Sequence, residues 1–291
     1  MDQLINDYVT YLKDMKHASP NTIGAYRNDL IKLKNFLENQ GITEPNKISG
    51  TSLNSYILLL EKDGMAPASV SRNIASIKVF IFYLLKIGKI NNDPSEFIRP
   101  PKVIKKYPNL INVDHINLLL MQPDTGTNKG IRDKAMLELL YASGMKVTEL
   151  ISLKITDINL NGRYLICGEK KERIIPFGNA AKNALQEYLS LREETWKKKS
   201  SQILFLNSSG EQFSRQGFWK LFKGYAKMAG FEDANPNTVR HSFAAHLIEN
   251  GADLASVQEF LGHTDISTTQ LYLPHTYKNS REVYMNSHPR A

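Results

Sequence analysis

The chain has 291 residues, of which 42% are hydrophobic and 23% charged, and its formal net charge is +8. A chain of this length exceeds what one hydrophobic core usually organises, so we expect two domains, and its composition excludes a wholly disordered protein. The excess of basic residues points to a polyanionic partner, with nucleic acid first, and a soluble basic protein without such a partner is an equally good interpretation of the composition alone.

Residues 1–98 are predicted to form a bundle of four helices. The first helix lies around residues 4–12, and Ser19-Pro20 supplies an N-cap and a first-turn proline for the second. Residues 51–64 and 67–88 are predicted to form the third and fourth helices. The second helix ends at Gly41 and carries an apolar stripe at spacings of three and four, made of Ile23, Tyr26, Leu30, Leu33 and Leu37.

Residues 99–108 are predicted to be an extended linker. Their three prolines are incompatible with a helix and favour an extended chain. The segment carries four basic residues, which are Arg99, Lys102, Lys105 and Lys106. Their side chains are placed where a linker between two domains would cross DNA. An ordinary charged tether is an equally good interpretation of this stretch alone.

Residues 109–291 are predicted to combine helices with one small sheet. Helices are expected over residues 131–143, closed by Gly144, and over 147–153. Asn161-Gly162 predicts a type I′ hairpin, residues 173–176 a third strand, and further helices are expected near 180, 218–230, 236–251 and 253–262. The chain is therefore predicted to be mainly α with a small antiparallel sheet, an α+β arrangement.

Three sequence features bear on the cellular compartment. The single cysteine, Cys167, forbids an internal disulfide and fits a reducing cytoplasm. We expect no signal peptide, because Met1-Asp2-Gln3 opens neither a charged nor an apolar leader region. The apolar run at 79–85 is too short to span a membrane. We therefore expect a cytoplasmic protein without a membrane partner.

A cation, an imidazole and a phenol lie close together in the last fifth of the chain. They are Arg240, His263 after Leu261-Gly262, and Tyr272. The combination suits a tyrosine nucleophile that attacks a phosphodiester whose charge is held by basic neighbours. Each residue alone also has an ordinary interpretation, as an ion-pair partner, a helix-closing residue and a packing residue, respectively. No CxxC, HExxH or P-loop pattern points to metal or nucleotide chemistry.

The sequence around these three residues resembles the tyrosine recombinase (phage integrase) family and, within it, the Xer branch. The resemblance spans nearly the whole chain and is densest at residues 141–153, 214–219 and from 237 to the closing His288-Pro289-Arg290-Ala291. It implies a helical core-DNA-binding domain at 1–98, a basic linker at 99–108, and a catalytic domain with a C-terminal tail at 109–291. It also implies a site-specific recombinase that needs no cofactor and no metal.

The resemblance assigns roles to individual residues. Tyr272 would attack the scissile phosphate, form a 3′-phosphotyrosyl bond and release a 5′-hydroxyl. Arg240 would hold the nonbridging oxygens, and His263 would donate to the same phosphate. Lys170 is the candidate proton donor to the leaving oxygen, with Lys171 as the alternative, and ordinary solvated turn lysines are the competing interpretation.

Three positions depart from the family pattern. Lys146 replaces the family's first arginine and keeps its charge without its two-pronged geometry. Asn237 replaces the histidine of a His-x-x-Arg motif, and its amide cannot take the proton of Tyr272. The segment 168–173 is one residue short of the family hairpin. These departures favour an alternative function, that of a catalytically weakened or inactive DNA-binding paralogue that acts as partner or regulator. A topoisomerase-like nicking and closing enzyme is a third and weaker alternative.

The resemblance further implies an assembly on DNA. Four protomers, identical or mixed with a paralogous recombinase, would join two double-stranded DNA sites, and the tail at 277–291 would dock on a neighbour. Chromosome dimer resolution and mobile-element integration or excision both fit. Two local expectations complete the prediction: His241 faces the far side of its helix and packs there, and Ser267 with Gln270 caps a short helix that presents Tyr272.

Overall fold

The computed structural model describes residues 1–102, 109–168, 172–196, 201–263, 265, 268–270 and 272. These residues form eleven α-helices and one three-stranded antiparallel sheet, so the predicted fold class is confirmed. The chain divides into two compact units, Met1–Lys105 and Lys106–Ala291, each of which has its own hydrophobic core. Most of the predicted linker, residues 103–108, lies outside the described residues.

Four helices build the first unit, as predicted. They are α1 (Asp2–Asp14), α2 (Pro20–Asn39), α3 (Gly50–Lys62) and α4 (Pro67–Lys86). The hydroxyl of Ser19 caps α2 by accepting the N–H of Thr22 at 3.1 Å. A reciprocal pair of bonds between Ser49 and Ser52 caps α3 and places its start one residue before the predicted one.

Helix α4 is the core helix of this bundle. By length and composition it is the one described helix that could cross a membrane, and half of that stretch is buried inside the unit. The apolar run at 79–85, which the sequence analysis treated as too short to span, is the end of this 20-residue helix. Its inward face follows the spacing of an amphipathic helix, with Val70, Ile74, Ile77, Ile81 and Leu84 all buried.

The second unit surrounds its small sheet with helices. Its elements are α5 (Val113–Leu120), α6 (Asn128–Ser143), α7 (Val147–Ser152), β1 (Ile158–Asn159), β2 (Tyr164–Cys167), β3 (Arg173–Pro176), α8 (Asn179–Trp196), α9 (Arg215–Met228), α10 (Pro236–Glu249) and α11 (Leu254–Leu261). Helix α6 packs against both α8 and α10. Helix α5, whose N-cap is Asn112, is not among the predicted elements. The strand order is β1-β2-β3.

The turn between β1 and β2 differs from the prediction. Asn159 pairs with Tyr164, so residues 160–163 form a four-residue loop instead of a two-residue type I′ turn. A type I′ turn needs positive φ at 161 and 162, whereas the positive φ of this loop, 54°, is at Arg163. The side-chain oxygen of Asn159 accepts the N–H of Gly162 at 2.7 Å, and this local bond stabilises the wider loop.

Two helices of the second unit end at left-handed glycines. Gly144 closes α6 with φ 58°, and Gly262 closes α11 with φ 64°. Such caps satisfy some of the last helical carbonyls with backbone N–H groups and turn the chain away from the helix axis. The remaining carbonyls can accept hydrogen bonds from side chains. At Gly144 a side chain is also excluded by space, because an added Cβ would lie 2.2 Å from Cδ1 of Phe243.

Gly144→Ala should therefore destabilise the second unit. The substitution combines a left-handed φ with a collision against Phe243, and we expect it to lower the free energy of unfolding by about 3 kcal/mol in urea denaturation. Gly230→Ala is the matched control, because its φ is 82° and nothing lies within 4 Å of the added Cβ. It should lose only about 1 kcal/mol. Equal losses in both variants would contradict the steric explanation.

Candidate active site

A buried guanidinium lies at the centre of the candidate site. Arg240 on α10 is only 5% exposed. It donates from Nη1 to the carbonyl of Gly144 at 2.7 Å and from Nη2 to the carbonyl of Leu261 at 2.6 Å. Both carbonyls belong to helix C-termini, which carry partial negative charge. Among the described residues no ion pair joins Arg240 to a carboxylate, and its two hydrogen-bond acceptors carry only partial charges.

The end of α11 explains why two arginines meet there. The carbonyls of Gln258 and Glu259 accept the N–H groups of His263 and Gly262, which completes the glycine cap. The next two carbonyls, of Phe260 and Leu261, have no such backbone donor among the described residues. Arginine side chains satisfy them instead, Arg173 at 2.7 Å and Arg240 at 2.6 Å. The helix end therefore fixes the positions of both guanidinium groups.

Glu149 neutralises the second arginine. Its carboxylate makes a two-pronged ion pair with Arg173 at 3.0 and 2.8 Å, and it also accepts the N–H of Lys146 at 2.7 Å at the start of α7. Although burial acts to raise it, the hydrogen bonds from Arg173 and Lys146 hold the pKa of Glu149 below its usual value. Glu149 pairs directly with Arg173 and acts on Arg240 only through its charge, without a hydrogen bond. Burial lowers the pKa of Arg240, the charge of Glu149 opposes that shift, and the nearby Arg173 adds to it.

His263 follows α11 as a neutral, oriented imidazole. Its Nδ1 lies 2.9 Å from the hydroxyl oxygen of the buried Thr269. Burial and the positive charges of Arg240 and Lys146 lower the pKa of His263 to about 4. With the Thr269 hydroxyl as donor, the ring proton is on Nε2, from where it can be donated to an anion. Sequence reasoning missed Thr269, since a threonine in a Thr-Thr pair carries no signal of this contact.

The phenol of Tyr272 is buried against α10. The residue is 1% exposed, and its Oη lies 2.7 Å from Nδ1 of His241. Its N–H donates to the carbonyl of Thr269 at 3.1 Å in a tight i→i−3 turn. Burial raises the pKa of Tyr272, and the charge of Arg240 opposes that rise. The ring packs in a small apolar cluster with Phe243, Ala244, Val257 and Leu261.

The expectation for His241 was wrong. We expected this residue to face the far side of α10 and to pack there, whereas its ring contacts Tyr272, with ring centroids 5.7 Å apart. Arg240 and His241 are neighbours on a helix and point about 100° apart, so they face different elements. Arg240 faces the ends of α6 and α11, and His241 faces the C-terminal segment. Local sequence does not encode from which side that segment arrives.

The remaining predicted site residues are only partly placed. Lys146 is exposed at the N-terminus of α7, close enough to His263 for its charge to lower that residue's pKa. Asn237 is exposed in the first turn of α10, where its N–H donates to the side-chain oxygen of Asn235 at 2.9 Å. Three predictions lie outside the described residues: the choice between Lys170 and Lys171, the Ser267 cap and the tail at 277–291.

Both units of the chain are similar to known proteins. The model described as Phage integrase family matches residues 109–279, and the phage integrase N-terminal SAM-like domain matches residues 5–88. The tyrosine recombinases XerD of Listeria innocua serovar 6a and of Staphylococcus epidermidis are 43% and 42% identical over 300 and 295 residues, covering 100% of each chain. The solved structure of XerH recombinase bound to its difH substrate, before cleavage, has a TM-score of 0.73 at 19% identity, covering 95% of this chain and 84% of that one.

Glu149→Gln should lower stability in a pH-dependent way. The folded pKa of Glu149 lies below its unfolded value near 4.5, so the ion pair stabilises the fold above that pH. This stabilisation disappears as the pH falls through the folded pKa. We expect a loss of about 2 kcal/mol at pH 7 in urea denaturation, with the difference shrinking below about pH 4. Glu44→Gln, which removes only the exposed pair with Lys47, should change little. An equal loss of unfolding free energy at pH 7 and below about pH 4 would contradict the assignment of this loss to the Glu149–Arg173 ion pair.

Proposed function

The chain belongs to the phage integrase family, in the Xer branch of the tyrosine recombinases, and from this premise we propose how its residues cleave DNA. It is a site-specific DNA recombinase that breaks and rejoins strands through a 3′-phosphotyrosyl intermediate. The observation that carries the site assignment is the buried Arg240, which makes no ion pair with a described carboxylate. A phosphodiester is the anion that this reaction brings to such a group.

Arg240 binds the scissile phosphate. A guanidinium has five N–H donors, and the two described hydrogen bonds, to Gly144 and Leu261, leave others for nonbridging oxygens. Because the group is already desolvated and held by two helix ends, it needs no reorganisation as charge develops on the phosphorane. Removal of one such donor typically lowers the rate by about 10²–10³.

His263 and Lys146 supply the second and third contacts to the phosphate. His263 donates its Nε2 proton to the phosphate, and Thr269 holds the ring in the tautomer that makes this possible. Lys146 adds a compact charge at the start of α7, without the planar fork of an arginine. Asn237 can hydrogen-bond the phosphate through its amide at the start of α10.

Tyr272 is the nucleophile. Its Oη–P bond forms as the bond from phosphorus to the 5′-oxygen breaks, and the leaving oxygen takes a proton from Lys170, with Lys171 as the alternative donor. The 5′-hydroxyl of a partner strand later attacks the phosphotyrosine, so that one phosphodiester is exchanged for another. The phosphotyrosyl bond conserves the energy of the broken phosphodiester bond, so the exchange needs no ATP.

The partner is double-stranded DNA, as the net charge of +8 and family membership both indicate. We propose four protomers on two DNA sites, either all of this chain or paired with a paralogous recombinase. Residues 1–98 would bind the site, the linker at 99–108 would cross the backbone, and 109–291 would hold the chemistry and the docking tail. The cytoplasm, where the chromosome lies, is the proposed location, and chromosome dimer resolution and mobile-element integration or excision both fit.

Tyr272→Phe should bind DNA normally and form no covalent adduct, because only the attacking oxygen is removed. The measurement uses a nicked suicide substrate whose site is selected from random-sequence DNA by the native chain. Tyr141→Phe is the matched control, since Tyr141 is also hydrogen-bonded to a histidine of α10, at 2.9 Å from Nδ1 of His246. This control should still form the adduct. An adduct in Tyr272→Phe would reveal another nucleophile.

Lys146→Arg should raise the rate of adduct formation. Arginine adds a two-pronged grip on a phosphate whose charge grows in the transition state, and we expect a gain of about 10-fold in single-turnover cleavage. The substitution leaves net charge unchanged, so DNA affinity should stay within about 2-fold. Lys154→Arg, at an exposed position just beyond α7, is the control and should leave the rate unchanged. An unchanged or slower Lys146→Arg would show that the site is adapted to lysine.

A further inference from the structure

The hydrogen bond between His241 and Tyr272 is not explained by the family comparison or by the roles assigned above. The two atoms, Nδ1 and Oη, are 2.7 Å apart, within the range of a short hydrogen bond to oxygen. Tyr272 is 1% exposed, so water has little access to its hydroxyl. A phenol that attacks phosphorus must lose its proton, and the proton must therefore leave through a neighbouring side chain.

The other described groups of the site are poor acceptors for that proton. Asn237 is exposed and has an amide, which does not take up a proton at neutral pH. Arg240 has only donors. His263 has Nδ1 committed to Thr269, at 2.9 Å, and its Nε2 is the atom that donates to the phosphate. Among the described residues His241 alone offers a titratable nitrogen within hydrogen-bond distance of Tyr272 Oη.

We propose that His241 is a further catalytic residue of this recombinase, and that its Nδ1 accepts the phenol proton of Tyr272 as the Oη–P bond forms. In this step the proton moves from Oη to Nδ1, the phenol oxygen becomes bonded to phosphorus, and the electron pair of the broken bond leaves with the 5′-oxygen. The neutral imidazole becomes an imidazolium. In the reverse step, when a 5′-hydroxyl attacks the phosphotyrosine, the same imidazolium returns the proton to the departing phenol oxygen.

The surroundings of His241 keep it ready for this step. The ionisable groups near it in the described residues are Arg240 on its own helix, Tyr272 from the C-terminal segment, and His263 after α11. Burial and the charge of Arg240 lower the pKa of His241 from 6.5, so its ring is neutral and able to accept at pH 7. A DNA phosphate on Arg240 would offset that positive charge and favour the imidazolium once the proton arrives.

The inference rests on the proposed function, and the decisive experiment compares His241→Asn with the native chain. Asparagine places a polar atom near the position of Nδ1 and keeps a hydrogen bond to Tyr272, but it cannot take up the proton. Single-turnover adduct formation on the nicked substrate is followed from pH 5 to 9, together with DNA affinity. We expect unchanged affinity, a rate lower by about 10²-fold or more, and loss of the limb on which the native rate rises with pH.

His246→Asn is the matched control. His246 lies on the same helix and makes the same kind of contact to Tyr141, at 2.9 Å, away from the reacting atoms. Its variant should keep the native pH limb. A substrate with sulfur in place of the bridging 5′-oxygen adds a second test, because a thiolate leaves without needing a proton. The sulfur substrate should restore the rate of adduct formation in variants that lack the proton donor to the leaving 5′-oxygen. It should not restore the rate of His241→Asn.

The outcomes separate the inference from the function on which it rests. If the native chain forms no adduct, the proposed function fails. If the native chain forms the adduct and His241→Asn matches it within about 3-fold with the same pH limb, His241 only packs against Tyr272 and the inference alone fails. Full rescue of His241→Asn by the sulfur substrate would place His241 on the leaving-group side and overturn the inference as well. Should His241→Asn lose DNA affinity, His241→Gln serves as the second variant under the same criteria.

Discussion

The candidate site depends on where one buried guanidinium finds its acceptors. Arg240 donates to Gly144 at the end of α6 and to Leu261 at the end of α11, so both helices must stop where they do for the group to be held. Carbonyls at helix ends can satisfy N–H donors but carry only partial charge. A carboxylate in the same place would stabilise the arginine further and would also repel a phosphate. The buried charge of Arg240 is therefore only partly neutralised, which costs stability but suits a site that binds an anion.

Glu149 shows how the two arginines of this region acquire different tasks. Arg173 receives both oxygens of the carboxylate and becomes a structural link between β3, α7 and the end of α11. Arg240, on the neighbouring carbonyl of the same helix end, receives none. Two chemically identical side chains therefore differ in charge balance: Arg173 is paired with a carboxylate, and Arg240 has only carbonyls as hydrogen-bond acceptors among the described residues. The distinction arises from the position of one carboxylate, which also fixes the backbone of Lys146 at the edge of the site.

Thr269 and Tyr272 connect the C-terminal segment to two histidines. Thr269 binds His263 through its hydroxyl and Tyr272 through its carbonyl, while Tyr272 binds His241 through its phenol. A shift of this segment would therefore change the orientation of His263, the position of the phenol oxygen that we propose as the nucleophile, and the contact that we propose for its proton. Because the phenol is buried, any productive complex has to bring the phosphate to a site already assembled around Arg240, or move this segment toward the phosphate.

Sequence by itself determined the elements whose signals are local. Ser19-Pro20, the apolar stripe of α2 and the closing glycines predicted the helices of the first unit and the ends of α6 and α11, because caps and periodicity act within a few residues. The motif also brought Arg240, His263 and Tyr272 together as candidates. Tertiary structure alone decided that Arg240 binds two helix-end carbonyls and, in the described part of the chain, no carboxylate, that Thr269 contacts His263, and that His241 faces Tyr272. Those contacts join residues 6 to 96 positions apart or on different elements, and such meetings depend on how helices pack, which no local pattern encodes.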